Sequence, residues 1–376
     1  MRYLIAIDSF KGSLTSLQAG NAVKKAILKA DANAEVIVPP LADGGEGTVE
    51  AFCSGMDGEM VLTKVTGPRM QPLDAAYCIL QDGTAVMEMS AAAGITLIPP
   101  EMRDPRETTT YGVGEMIQDA IARGCRKFIM GIGGSATNDG GMGMLQALGM
   151  KFLDTEGKAV SPCGKGLEKL ASIEMGDMLP ELSQCTFRIA CDVTNPLCGE
   201  HGCSAVYGPQ KGANKKTVQA MDGWLSRYAE LMKSVSDKAD AAHPGAGAAG
   251  GLGFAFLSCL NATLEPGIRI ILEETKFEEY VQNADVVITG EGRLDEQTVM
   301  GKAPIGVAGL AKKHGKKVIA FSGCVTEGAC ACNEHGIDAY FPIVPGVVTL
   351  EEALDTENAY RNLFNTAYQV CRLLNL

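Results

Sequence analysis

The stretch R2-Y-L-I-A-I-D-S-F-K-G12 sets a short apolar run, Tyr3 to Ile7, directly against Asp, Ser, Lys and Gly. An apolar run this short, ended by turn-forming residues, predicts a β-strand buried on both faces. A helical pattern follows from Leu17 to Ala30, and E35-V-I-V38 reads as the next strand. Strand, helix, strand is the repeating unit of a parallel sheet. The same rhythm returns near the C-terminus. A284-D-V-V-I-T-G290 reads as a strand, a helix runs through Ala303 to His314, and K317-V-I-A-F321 and A339-Y-F-P-I343 read as two more strands. A helix from Leu350 to Leu374 closes the chain.

The middle has a different rhythm. Shorter strands such as A85-V-M-E-M89 and R188-I-A190 alternate with long glycine-rich loops. The predicted fold class is therefore α/β with two α/β domains. A Rossmann- or flavodoxin-like parallel-sheet domain is built from both chain ends, residues 1–75 plus 276–376, and a mixed α/β domain of residues 76–275 is inserted into it. H243-P-G-A-G-A-A-G-G-L-G253 lacks the Ser, Glu and Lys of a solvated linker and leads into F254-A-F-L-S-C-L260. It reads as a glycine loop opening a buried helix.

Composition narrows the class of function. The 376 residues are 46% hydrophobic, enough for about two domains of roughly 150 residues each. Acidic residues outnumber basic ones 45 to 33, for a net charge of -12. Sequence-independent nucleic-acid binding needs the opposite balance. No apolar run approaches the ~18 residues of a membrane span, and Asp8 interrupts the first apolar run too early for a signal-peptide core. The 13 cysteines then predict reduced thiols in the cytoplasm. Two groupings, Cys191, Cys198, His201 and Cys203, and Cys324, Cys330, Cys332 and His335, lack the paired C-x2-C spacing of structural zinc sites. They read as buried or incidental thiols.

Glycine beside Asp, Lys or a hydroxyl recurs in six places: D8-S-F-K-G-S-L14, A42-D-G-G-E-G-T48, G131-I-G-G-S-A-T-N-D-G-G141, C191-D-V-T-N-P-L197, G208-P-Q-K-G-A213 and T289-G-E-G-R-L-D-E-Q-T298. Any one of them could be a plain connector. Most follow a predicted strand, however, and ligands of open α/β sheets sit at the carboxyl ends of strands. Backbone amides cradle anionic oxygens, Lys neutralises them, and Asp binds Mg2+ or takes a proton, so the set points to phosphate chemistry. A Walker A motif is absent, because Ala303 follows G301-K302 where a Ser or Thr should hold the metal. The protein-kinase motifs are absent too. The Gly131-Gly133-Ala136 loop does match a dinucleotide fingerprint, with Asp154 about twenty residues on. An NAD-dependent oxidoreductase is therefore a rival reading. It needs a helix to begin at once, yet T137-N-D-G-G141 are poor helix formers.

These segments, with G247-A-A-G-G-L-G253 and Gly301-Lys302-Ala303-Pro304, resemble the bacterial class-I glycerate kinases along essentially the whole chain and in the same order. The resemblance implies ATP- and Mg2+-dependent phosphorylation of D-glycerate, commonly at the 2-hydroxyl to give 2-phosphoglycerate, with the 3-hydroxyl as the alternative. It implies an active site in the cleft between the two domains. ATP and D-glycerate are the expected partners, with no nucleic acid and no membrane, and a homo-oligomer is compatible with this reading.

Roles can then be assigned by chemistry. Lys11 is expected on a phosphate or the glycerate carboxylate, and Arg293 suits a planar carboxylate. Asp192 and Asp295 are alternative bases for the accepting hydroxyl. Asp8, Ser9, Ser135, Thr137, Asn138, Lys211, Thr298 and Lys302 are expected to bind substrate or phosphate. Gly44, Gly45, Gly133, Gly134 and Gly290 supply close backbone approach, as do Gly140 and Gly141. Asp43 and Asp139 are the candidate Mg2+ ligands, with Glu46 and Glu291 weaker, and an Asx turn or helix cap is the alternative for each Asp.

Overall fold

Tyr3, Ile5 and Ile7 point into one apolar cluster, while Leu4 and Ala6 between them are also buried. A strand covered on both faces belongs in the middle of a doubly wound sheet, and the computed structural model places it there. It describes residues 1–39, 41, 42, 44, 45 and 47–375. The sheet runs Glu35–Ile37, Arg2–Ile7, Val286–Leu294, Lys317–Val325 and Ala339–Pro342, all parallel. This is the flavodoxin-like order 2-1-3-4-5.

Helix Ser16–Ala30 starts at a capping box between Thr15 and Gln18, a start signal written in the sequence. Its buried stripe, Ala19, Val23, Ala26 and Ile27, recurs at helical spacing. It packs against the last helix, Thr356–Leu374, where Lys29 lies over the rings of Phe364 and Tyr368. Helix Ala303–Lys313 packs on Val286–Leu294 and Lys317–Val325.

Two details depart from the sequence reading. The strand expected to end at Gly290 continues to Leu294, because Glu291 and Arg293 stay in register with Ser322 and Cys324. The single helix expected from Leu350 to Leu374 is two, Leu350–Leu354 and Thr356–Leu374. Asp355 breaks it, accepting the Asn358 amide at 2.9 Å as a new N-cap.

The chain divides into two units. The first is Met1–Asp43, Glu50–Met56 and Pro266–Leu376; the second is Gly44–Val49 and Asp57–Glu265. The second therefore starts earlier than residue 76 and ends before 275. Its early start has a clear cause: Glu59–Thr66 and Pro72–Ile79 form an antiparallel hairpin that pairs with Thr84–Glu88. The full sheet of this unit runs Ala262–Glu265, Thr186–Ala190, Lys127–Gly131, Thr84–Glu88, Pro72–Ile79 and Glu59–Thr66. The first four strands are parallel. Phe128 stacks on Phe187 at 4.6 Å, and Phe256 leans on Phe187 at 5.7 Å. The segment 243–253 is largely buried and leads into the helix that contains Phe254 and Phe256.

No helix of the described residues is long and apolar enough to cross a membrane. The thirteen cysteines form no disulfide among the described residues.

Candidate active site

In a 2-1-3-4-5 sheet the strand order reverses between the first and third strands, and the crevice at their carboxyl ends is where ligands bind. Here those ends are Ile7 and Gly290, which pair directly. The Asp8 amide donates to the Gly290 carbonyl at 2.9 Å, and the Ser9 amide donates to Asp8 Oδ1 at 2.7 Å. Asp8 is buried and Ser9 half-buried. The turn at Phe10-Lys11 lies close against Gly292. The structure thus joins two of the polar loops, D8-S-F-K-G12 and G290-E-G-R-L-D295, at the predicted position. Lys11 itself is exposed, with no ion pair among the described residues.

Beyond Gly290, charge is paired. Arg293 Nε lies 3.2 Å from Asp295 Oδ2, and Lys302 Nζ lies 3.6 Å from Glu291 Oε2 and 4.0 Å from Asp295 Oδ1. Asp295 Oδ1 also accepts the Gln297 amide at 3.0 Å. Thr298, expected to meet substrate, is fully buried; its hydroxyl donates to Glu291 Oε1 at 2.8 Å and accepts from the Asp295 amide at 3.2 Å. It braces the two carboxylates from within, and burial closes it to a ligand. Gly290 is buried against the Phe321 carbonyl, so its part is strand packing.

The second unit builds its own polar end. Parallel strands Thr84–Glu88, Lys127–Gly131 and Thr186–Ala190 finish side by side, and their next residues carry Ser90, the 133–141 loop and Asp192. Gly44 lies so close to Gly131 that a Cβ at Gly131 would strike the Gly44 carbonyl, and Gly45 sits beside Gly133. Two glycine loops distant in sequence thereby meet. Glu88 is buried, accepts the Val49 amide at 3.0 Å and takes the Ser90 hydroxyl at 3.3 Å. It escaped the sequence reading; its only signal was an acid ending an apolar strand.

Within the 133–141 loop, Gly133 and Gly134 are exposed while Ser135 through Gly141 are buried. Lys211 is 2% exposed. Its Nζ donates to Ser135 Oγ at 2.8 Å and to the Thr137 carbonyl at 2.7 Å. Burial pushes this ammonium down to about 8, against the Cys203 thiol and the Asp139 carboxylate, which favour the charge. Asn138 Nδ2 donates to Ser204 Oγ at 2.9 Å. Thr137 Oγ1 and Asn138 Oδ1 are buried with no hydrogen-bond partner among the described residues. Thr137 and Asn138 thus lie beneath the surface that a ligand would first meet.

Asp139 was a candidate magnesium ligand, and its surroundings correct that reading. It is fully buried. Oδ2 accepts the Thr110 amide at 2.7 Å, the Thr110 hydroxyl at 2.8 Å and the Gly143 amide at 3.4 Å, while Oδ1 accepts the Gly141 amide at 3.1 Å. Burial pushes its carboxyl up, and these donors pull it back. Asp139 anchors the start of helix Met142–Ala147, which leaves no open face for a metal. Asp43 and Glu46 lie outside the described residues. Among the described residues no group of His, Cys, Asp and Glu is arranged to hold a metal.

The dinucleotide reading meets its geometric requirement here and fails it. The helix after Gly131 begins only at Met142, so no helix N-terminus follows the fingerprint glycines.

The chain matches the model of the glycerate kinase family over residues 3–375. It is 46% identical to the glycerate kinase of Halalkalibacterium halodurans, covering 96% of both chains. It is 43% identical to the glycerate 2-kinase of Escherichia coli K12, over 100% of this chain and 98% of that one. A crystal structure described as glycerate kinase 2 from Salmonella typhimurium LT2 superposes with a TM-score of 0.90 at 44% identity, covering 100% of this chain and 98% of that one.

Proposed function

The chain belongs to the glycerate kinase family, and from that premise we propose that it transfers the γ-phosphoryl group of ATP to the 2-hydroxyl of D-glycerate, giving 2-phosphoglycerate and ADP. The observation that carries the choice of hydroxyl is the full-length similarity to a protein named glycerate 2-kinase. The glycine loops at strand ends in each unit support the phosphate chemistry.

Phosphoryl transfer asks the protein mainly for positioning and charge stabilisation. Lys11, exposed where the strand order reverses, is the cation of this reading that meets a phosphate or the substrate carboxylate. Arg293 and Lys302 stand beside Asp295 and Glu291 and offer further positive charge. Asp295 is committed to Arg293 and the Gln297 amide. Asp192, exposed just past the end of Thr186–Ala190, and Asp295 are the two candidates for the base. Asp8 and Ser9 in the first unit, and Gly44, Gly45, Gly133, Gly134 and Ser135 in the second, offer backbone amides and hydroxyls to anionic oxygens. Magnesium would enter bound to the ATP phosphates, which need only one or two carboxylates from a protein.

A coupled ADP-release assay with D-glycerate tests the reaction, and a phosphorus NMR spectrum of the product tests the position. ADP release that does not depend on D-glycerate would sink the kinase reading. A spectrum of 3-phosphoglycerate would move the transfer to the other hydroxyl.

A further inference from the structure

Lys211 is a cation sealed beneath the glycine loop, and the direction of its hydrogen bonds has a chemical consequence. An ammonium only donates, so Ser135 Oγ must accept from it at 2.8 Å. The Ser135 proton then has to point elsewhere, and no acceptor among the described residues takes it. The amides of Gly133, Gly134 and Ser135 likewise make no hydrogen bond to the described residues. Gly134 is left-handed, at φ 72, one half of the backbone alternation from which successive amides build an anion-binding nest. Below the nest, Thr137 Oγ1 and Asn138 Oδ1 are fully buried and unpartnered. Lys211 has no carboxylate within ion-pair distance among the described residues.

We propose that Gly133, Gly134 and Ser135 form an oxyanion site whose hydroxyl donor is oriented and charged from below by Lys211, a positioning residue that never touches the ligand. This rests on the kinase reading and sharpens it. The oxyanion is a carboxylate or a phosphate, and the two sources are the acceptor substrate and the nucleotide.

The experiment uses the full chain and three variants, Ser135→Ala, Lys211→Met and Lys211→Arg. Losing one charge-assisted donor should raise one substrate's KM about 10- to 100-fold. Ser135→Ala and Lys211→Met should raise the same one, and their double variant should cost little more than either alone. If the D-glycerate KM moves, the site holds the carboxylate; if the ATP KM moves, it holds phosphate. Isothermal titration of D-glycerate and of ATP reads the same loss without turnover.

The pH profile separates orientation from mere packing. The wild type should lose affinity as pH rises through about 8, where Lys211 gives up its proton. Of the two titratable groups facing it, the Cys203 thiol is held up at about 12 and stays protonated over that range, and burial pushes the Asp139 carboxyl up. Lys211→Arg should restore binding and carry it to higher pH. Wild-type turnover that ignores D-glycerate would overturn the function itself. A normal wild type with both KM values unchanged in folded Lys211→Met and Ser135→Ala would overturn this proposal alone, as would additive losses in the double variant. If Lys211→Met fails to fold, Ser135→Ala and the wild-type pH profile decide.

Discussion

Replacing Asp139 by Ala would strand the Thr110 amide and hydroxyl and the amides of Gly141 and Gly143. Buried donors left without an acceptor cost about 1–3 kcal/mol, so the variant should lose about 3 kcal/mol or more. A lower urea midpoint with an unchanged slope would show it; a variant as stable as the wild type would return Asp139 to the ligands. Lys11 should behave in the opposite way. It is exposed and unpaired among the described residues, so Lys11→Ala should lower kcat/KM by about 100-fold or more while its thermal midpoint barely moves. A large fall in midpoint would make Lys11 a structural residue. Sequence did not separate these two, because a polar residue among glycines looks the same whether it faces water or the interior. Asp139, Thr298, Thr137 and Asn138 face inward, and only their burial says so.

Among the elements, the turn that opens helix Ala248–Cys259 holds the 133–141 loop in place. Ala249, Gly250 and Gly251 are all left-handed, at φ 53, 69 and 95. The Gly250 carbonyl accepts the Gly140 amide at 2.9 Å, and a Cβ on Gly250 would strike the Thr137 carbonyl. That same carbonyl is one of the two acceptors of Lys211. Gly250→Ala should therefore cost about 2 kcal/mol or more in stability, from the backbone penalty and the clash together. It should also raise the KM affected by Lys211→Met; an unchanged Tm would show that the loop can yield. The periodic elements were legible in advance: the strand at Tyr3–Ile7, the helix across Leu17 to Ala30, and the three returning strands all occur. The break at Asp355 and the extension to Leu294 were not, since each depends on a local cap or a neighbouring ladder that competes with the apolar pattern.

For the molecule as a whole, the chain ends identified the parallel sheet because its central strands are short, apolar and buried on both faces. The unit boundary was harder to read. The hairpin Glu59–Thr66 and Pro72–Ile79 carries no mark of which sheet it will join, and pairing with Thr84–Glu88 alone assigns it. An inner strand of the first sheet also has a history set by synthesis. Arg2–Ile7 is made before the strand it pairs with most fully, Val286–Leu294, which lies 283 residues downstream at the Arg2–Asp285 contact. At about 5–20 residues per second, that partner arrives roughly 15–60 s later. Asp57–Glu265 can complete its own sheet in the meantime, while Arg2–Ile7 keeps an open edge. Until Val286–Leu294 is made, Arg2–Ile7 is thus an apolar strand that other chains can pair with.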